Sequence, residues 1–143
     1  MGNRDILFGA TACEAAGMTA ISDPCLVQAD NHPWLVSHGD ALCLGDTAYQ
    51  AFRQQVRSED WRREFLAKAL SDRLALARAM RQQSEGQKKT DTVYADADSG
   101  LCAQWLQAAQ ASRMVHGHTH RPADHVTGSD GLALRQVLSD WSL

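Results

Sequence analysis

The sequence has no apolar run approaching the ~20 residues that a bilayer-spanning helix requires, and its four cysteines form no C-x-x-C pair. The first absence argues against a transmembrane helix, the second against a zinc finger. Cys13, Cys25, Cys43 and Cys102 are widely spaced in a chain of 143 residues with 44% apolar content, which has no need of a disulfide framework. They read as reduced, mostly buried thiols in a cytosolic protein. The opening MGNRDILFGA lacks the basic-then-apolar layout of a secretory signal. Ile6 stands where a myristoylation signal would have Ser or Thr. There are no repeats and no low-complexity tracts. With a net charge of only −3, nothing global points to nucleic acid. Size and composition fit one ordinary domain.

The charge that is present is unevenly placed. Residues 50–90 hold ten of the fourteen Lys/Arg and five Asp/Glu, a net of +5 that leaves −8 for the remainder. A cationic segment inside an acidic chain suits an anionic ligand or surface, and equally a solvated helical face.

Hydrophobic periodicity predicts the elements. A short helix fits Ala10–Ala16, with Gly17 as its cap. Short strands fit 25–27 and 34–36, separated by the turn signal DNHP. Asp46 and Thr47 are good N-cap types for a helix carrying Tyr49, Phe52 and Val56. A second helix is expected over about 59–82, where Trp61, Phe65, Leu66, Ala69, Leu70, Leu74, Ala77 and Met80 form an apolar stripe flanked by arginines. Residues 84–92 read as a loop, 99–109 as a third helix, 113–115 as a strand, and 134–138 as a last strand before Asp140-Trp141. Two of the strands, 34–36 and 113–115, run straight into His-Gly.

Three of the six histidines fall between His116 and His120, in "MVHGHTHRP". Imidazole is a borderline nitrogen donor for Mn, Fe, Zn, Ni or Cu. Gly117 permits a close backbone approach that a side chain would block. His118 and His120 are the candidate ligands, and His116, still part of the strand, reads as a buttress. An H-x-H pair alone is as often a packing or surface feature. "SHGD" (37–40) adds His38, and "GNRD" (2–5) adds the amide of Asn3. This mixed nitrogen and oxygen set favours Mn²⁺, Fe²⁺ or Zn²⁺ over a thiolate site.

G-N-[HR]-D, then H-G-D, then G-H-T-H, in that order, resembles the calcineurin-like metallophosphoesterases. "GNRDILFG", "DPCLV", "HGDALC", "AYQAFRQQVR", "VHGHTHRP" and the terminal "VLSDW" are similar to the branch of that superfamily that acts on UDP-2,3-diacylglucosamine. The resemblance runs along the whole chain. It implies an α/β fold, the αββα sandwich of that superfamily, here incomplete because its first strands are missing, with a helical cap inserted at about 47–96. It also implies two metal ions, Mn²⁺ in this branch. Asn3, His38 and His118 would bind one ion and His120 the other. The implied reaction splits the pyrophosphate of UDP-2,3-diacylglucosamine to UMP and a diacylglucosamine 1-phosphate, a step of lipid A synthesis, in the cytoplasm and peripherally on the inner-membrane surface. No nucleic acid and no obligate protein partner is implied.

Arg4 stands where most of the superfamily has histidine. Arginine has no proton to lend at neutral pH, and a phosphate leaving group needs none, its second pKa being about 6. Its fork suits phosphate oxygens. Arg4 is therefore the candidate catalytic residue, the alternative being a structural ion pair. Asn3 and His118 match substrate-contacting positions of the family, as do Asp46, Arg81 and Ser84, with an N-cap as the rival role for Asp46. Lys88, Lys89 or Thr90 stands for the family's lysine, because this loop is one residue shorter. The stripe Trp61–Met80 would receive acyl chains, with its arginines at an anionic membrane surface; simple packing is the other reading.

The family's D-x-H and further G-D do not precede Asn3. The expectation is a truncated product or a fragment, with little or no turnover alone and at most one well-supported ion site. The alternatives are a non-catalytic lipid- or nucleotide-binding remnant, another phosphoesterase of the superfamily, or a plain histidine metal site.

Overall fold

In the computed structural model, the described residues are 2, 5–89, 95–128 and 131–139, without the side chains of 83–89. The chain divides into two compact units, Met1–Thr47 with Ala95–Leu143, and Ala48–Tyr94.

The first unit is α/β. It holds α1 (Ala10–Ala15), β1 (Cys25–Ala29), β2 (His32–Ser37) and a single 3₁₀ turn (Asp40–Leu42). α2 (Thr47–Val56) starts at its boundary, and after the second unit come α5 (Ser99–Ala108), β3 (Arg113–His116), β4 (Ala123–Thr127) and β5 (Ala133–Val137). The strands form one five-stranded mixed sheet in the order β1-β2-β3-β5-β4. β2, β3 and β5 are parallel, and β1 and β4 are antiparallel edges. An α/β architecture with this sheet is consistent with part of a metallophosphoesterase sandwich.

Local chemistry explains the elements. Gly17, at φ +67, donates to the Glu14 carbonyl, and Met18 to that of Cys13, so the end of α1 is tied off by a left-handed glycine. Asp30 and Asn31, at φ +52 and +60, make the two-residue hairpin turn inside the predicted DNHP. Asp98 caps α5 by accepting from the Leu101 N–H at 2.7 Å. The core lies between α5 and one sheet face, where Leu35, Leu42, Ala97, Cys102, Leu106, Ala111 and Met114 are buried. All four cysteines are free thiols, and only Cys25 escapes full burial.

Three expectations need correction. The helix expected over 59–82 is two helices, α3 (Glu59–Leu66) and α4 (Leu70–Lys89). The last turn of α3 tightens, Lys68 N–H donating to Phe65, and Ala69 supplies the carbonyl that accepts from both Asp72 and Arg73 to start α4. The loop expected over 84–92 is helical as far as Lys89, because Glu, Gln and Lys are good helix formers that outweigh Gly86. β4 escaped prediction because "ADHVT" is a polar edge strand with no clean alternation.

The second unit is helical. Ser58 caps α3 by accepting from Trp61 N–H at 3.3 Å. Trp61 stacks on Phe65 with centroids 4.9 Å apart. A cavity of about 260 Å³ is lined by Trp61, Glu64, Phe65, Lys68, Leu76 and Met80. No described helix is long and apolar enough to cross a membrane.

Candidate functional site

β2 and β3 are parallel neighbours, with Ser37 opposite His116. The segments Ser37–Asp40 and His116–His120 therefore leave the same end of the sheet side by side. They are stitched together by Gly117 N–H donating to the His38 carbonyl at 3.2 Å. Gly39 makes that approach possible. It sits at φ +101, and a Cβ there would lie 2.7 Å from His116 Nδ1 and 3.1 Å from the Gly117 oxygen. Only glycine tolerates both conditions.

The consequence is a pair of imidazoles. The His38 and His118 rings meet edge to face, centroids 5.1 Å apart. Both are half-buried. Burial pushes the His118 pKa down to about 4, with His38 and then His120 adding to the depression and Asp40 and Asp46 opposing it. His118 is thus a neutral imidazole at pH 7, the form that ligates metals. Gly2 also lies against this pair: a Cβ on it would fall 3.3 Å from the His38 ring.

Backbone strain marks the same loop. Thr119 N–H donates to the Gly117 carbonyl at 2.8 Å, closing a three-residue turn with His118 at its tip at φ +66. This is the rarer, strained hand of that turn. His120 is left-handed as well, at φ +52. Non-glycine residues held this way cost of order 1 kcal/mol or more and cluster at functional sites.

Two residues outside the histidine motifs hold the loops. Asp23 Oδ1 accepts from Ser37 Oγ at 2.6 Å and from His38 N–H at 3.2 Å, while Gly39 N–H donates to Ser37 Oγ at 3.0 Å. Arg135 on β5 is buried, 5% exposed, with Nη1 3.0 Å from His116 Nε2 and 3.9 Å from Asp96 Oδ1. Burial and Arg135 both hold the His116 pKa below its ordinary value, against the backbone hydrogen bond, which raises it. Sequence reading missed Arg135, although a signal existed. It shares a strand face with Val137, where alternation calls for an apolar residue.

Of the other expected site residues, Asp46 is half-buried and close enough for its charge to act on His118. Arg81 is exposed on α4, in the second unit. Ser84, Lys88 and Lys89 lie on α4, and their side chains fall outside the described residues. So do Asn3, Arg4, Thr90 and the Asp140-Trp141 pair.

The fit to a metal ion is therefore that of a pair. His38 and His118 have the donor chemistry for a divalent transition metal. Among the described residues, no three His, Cys, Asp or Glu side chains form a metal-holding group.

No family model matches the chain. Curated proteins match it along nearly all of its length. It is 39% identical over 142 residues to the UDP-2,3-diacylglucosamine hydrolase of Bordetella pertussis, covering 98% of this chain and 55% of that protein. It is 41% identical over 142 residues to the Chromobacterium violaceum protein of the same name, covering 98% and 59%. It is 37% identical over 154 residues to that of Xanthomonas campestris pv. campestris, covering 98% and 60%. The chain is similar to these hydrolases along nearly all of its own length and spans between 55% and 60% of theirs.

Proposed function

We propose, from this kinship with the UDP-2,3-diacylglucosamine hydrolases, that the chain carries part of the active site of a metal-dependent pyrophosphatase. Its substrate is UDP-2,3-diacylglucosamine and its ion Mn²⁺. One observation carries the reading. Two strand-end loops bring a neutral His118 against His38, in a chain matched over 98% of its length by proteins of that name.

In this reading Asn3, His38 and His118 hold one ion and His120 reaches a second. Divalent ions there would acidify water and neutralise phosphoryl oxygens. The chain's own residues bind and orient. Arg4 offers its fork to the pyrophosphate. Asp46 meets the sugar. Residues 47–96 act as a cap, in which Arg81, Ser84 and one of Lys88 or Lys89 contact substrate. The cavity between Trp61 and Met80 suits an acyl chain, and the arginines around it suit an anionic inner-membrane surface on the cytoplasmic side. The overall reaction adds water across the P–O–P bridge: the α-phosphorus gains the hydroxyl as UMP, and the diacylglucosamine leaves as its 1-phosphate.

A second reading is a non-catalytic lipid- or nucleotide-binding protein. What favours it is that, among the described residues, no three His, Cys, Asp or Glu side chains form a metal-holding group. One assay separates the two. UMP release from UDP-2,3-diacylglucosamine is measured with Mn²⁺ for the chain alone. It is then measured for the chain fused to the portion of the Chromobacterium violaceum relative that it does not span. Little turnover alone, and turnover in the fusion that His118→Ala abolishes, is the expected result. A fusion that binds the lipid without Mn²⁺ and releases no UMP would establish the binding reading instead.

A further inference from the structure

The buried Arg135 is unexplained by the proposed reaction, and its surroundings give it a task. Arginine can donate hydrogen bonds but never accept them. Its Nη1 lies 3.0 Å from His116 Nε2, so that nitrogen must be the bare, accepting one. The ring proton is then on Nδ1, which donates to the Gly117 carbonyl at 2.9 Å. That same carbonyl accepts from Thr119 N–H at 2.8 Å and closes the strained turn with His118 at its tip. The ring is confined on its other side by Gly39, which leaves no room for a Cβ beside Nδ1. Asp96, 3.9 Å from Nη1, supplies the countercharge for the guanidinium. Asp96 is itself oriented by the Ala97 N–H, which donates to its Oδ1 at 2.7 Å.

We propose that Arg135 is the positioning residue of the histidine loop: by donating to His116 Nε2 it fixes the Nδ1–H tautomer, and the Nδ1–H anchors the Gly117 carbonyl from which the His118 turn is built. The chain of contacts runs from β5 through a fully buried imidazole to the turn. The guanidinium of Arg135 meets the His116 ring and the Asp96 carboxylate, and the role assigned to Arg135 is one of positioning. Its influence on the site passes entirely through the carbonyl of Gly117. Outer contacts of this kind fix ligand orientation, and their loss characteristically weakens metal binding by about 10- to 100-fold.

The test needs no substrate. Nitrogen NMR of the chain at neutral pH should show His116 protonated at Nδ1 and bare at Nε2. A ring protonated at Nε2, alone or together with Nδ1, overturns the proposal without any variant. Arg135→Met keeps the bulk and removes the donors. It should mix the His116 tautomers, speed amide exchange at Thr119, and weaken Co²⁺ binding by about 10-fold or more. Arg135→Lys, which restores a donor, should recover the tautomer and most of the Co²⁺ affinity; a merely space-filling role predicts the reverse ranking. An unchanged tautomer and unchanged Thr119 exchange in the methionine variant refute the proposal. The Co²⁺ measurement alone rests on reading His118 as a ligand. If the unaltered chain binds no Co²⁺, that reading falls, while the nitrogen spectrum and Thr119 exchange still decide the role of Arg135. Should the methionine variant not fold, the unaltered chain and the lysine variant decide it.

Discussion

The two histidine loops leave neighbouring parallel strands at the same end of the sheet, yet they are held by opposite kinds of residue. The loop after β2 turns donors inward, the Ser37 hydroxyl and the His38 N–H, and a carboxylate, Asp23, receives them. The loop after β3 turns acceptors inward, His116 Nε2 and the Gly117 carbonyl, and a buried cation, Arg135, anchors that set. The anchors sit 14 residues before Ser37 and 19 residues after His116, so neither loop is built by its own motif. The sheet brings the loops together, and outlying charges decide how each presents its imidazole.

Gly39 is where the two systems interlock, and replacing it should have the largest effect. Gly39→Ala places a methyl against His116 Nδ1 and the Gly117 oxygen at a backbone angle that disfavours any side chain. The expected destabilisation is about 3 kcal/mol, strain and overpacking together. It should be read as a shift of the urea midpoint at constant slope. A loss below about 1 kcal/mol would mean that the loops are not interlocked, and the comparison would fail.

Acid should act mainly on the loop after β3. The folded pKa of His118 is about 4, below its ordinary 6.5, and that of His116 is also lowered. A histidine with a depressed folded pKa binds fewer protons folded than unfolded between those values. Its contribution is therefore complete above about pH 6.5 and is lost as pH falls toward 4. The metal-free chain should lose about 2 kcal/mol across that window, part of the full shift being screened by solvent. His118→Gln should flatten the slope. A wild-type midpoint that does not move from pH 7 to 4.5 would contradict the burial of neutral imidazoles.

Removing the carboxylate should cost about as much and stay local. Asp23→Ala deletes the acceptor for Ser37 Oγ and His38 N–H, worth about 2 kcal/mol for bonds to a charged group. Asp23→Asn keeps an amide oxygen and should lose about half as much. Amide exchange should quicken at His38 and Gly39 while Thr119 stays protected. Equal quickening at Thr119 would show that the two loops share one support.

The sequence made the existence of this site legible and left its support hidden, for physical reasons. Three histidines with interleaved glycine and threonine, and two strands each ending in His-Gly, are local patterns, and the sheet places them side by side. The Asp30-Asn31 turn was equally local. The break between α3 and α4 was not legible, because Ala67, Lys68 and Ala69 are all good helix formers and no proline or glycine marks the stop. β4 was hidden because an edge strand needs no apolar alternation. Asp23 and Arg135 were hidden because hydrogen bonding across 14 and 19 residues leaves no spacing to read. An arginine on the apolar face of a strand was the one visible clue.

The smallest effect expected is also the most direct probe of the carboxylate-held loop. Cys43 follows that loop, is 3% exposed, and its Sγ lies 3.8 Å from the Gly39 carbonyl. Burial, then the charges of Asp96 and Asp40, push its pKa up to about 11. At pH 8 its reactive thiolate is then about one part in a thousand of the total, besides being shielded. Alkylation of the folded chain should therefore label Cys25, the one thiol not fully buried, and spare Cys43 until the protein unfolds. Asp23→Ala loosens the Gly39 end of the same loop and should raise Cys43 labelling several-fold at a pH where the chain is still folded. Arg135→Lys should leave it unchanged. Labelling of Cys43 that responds to Arg135 but not to Asp23 would reverse the assignment of the two anchors.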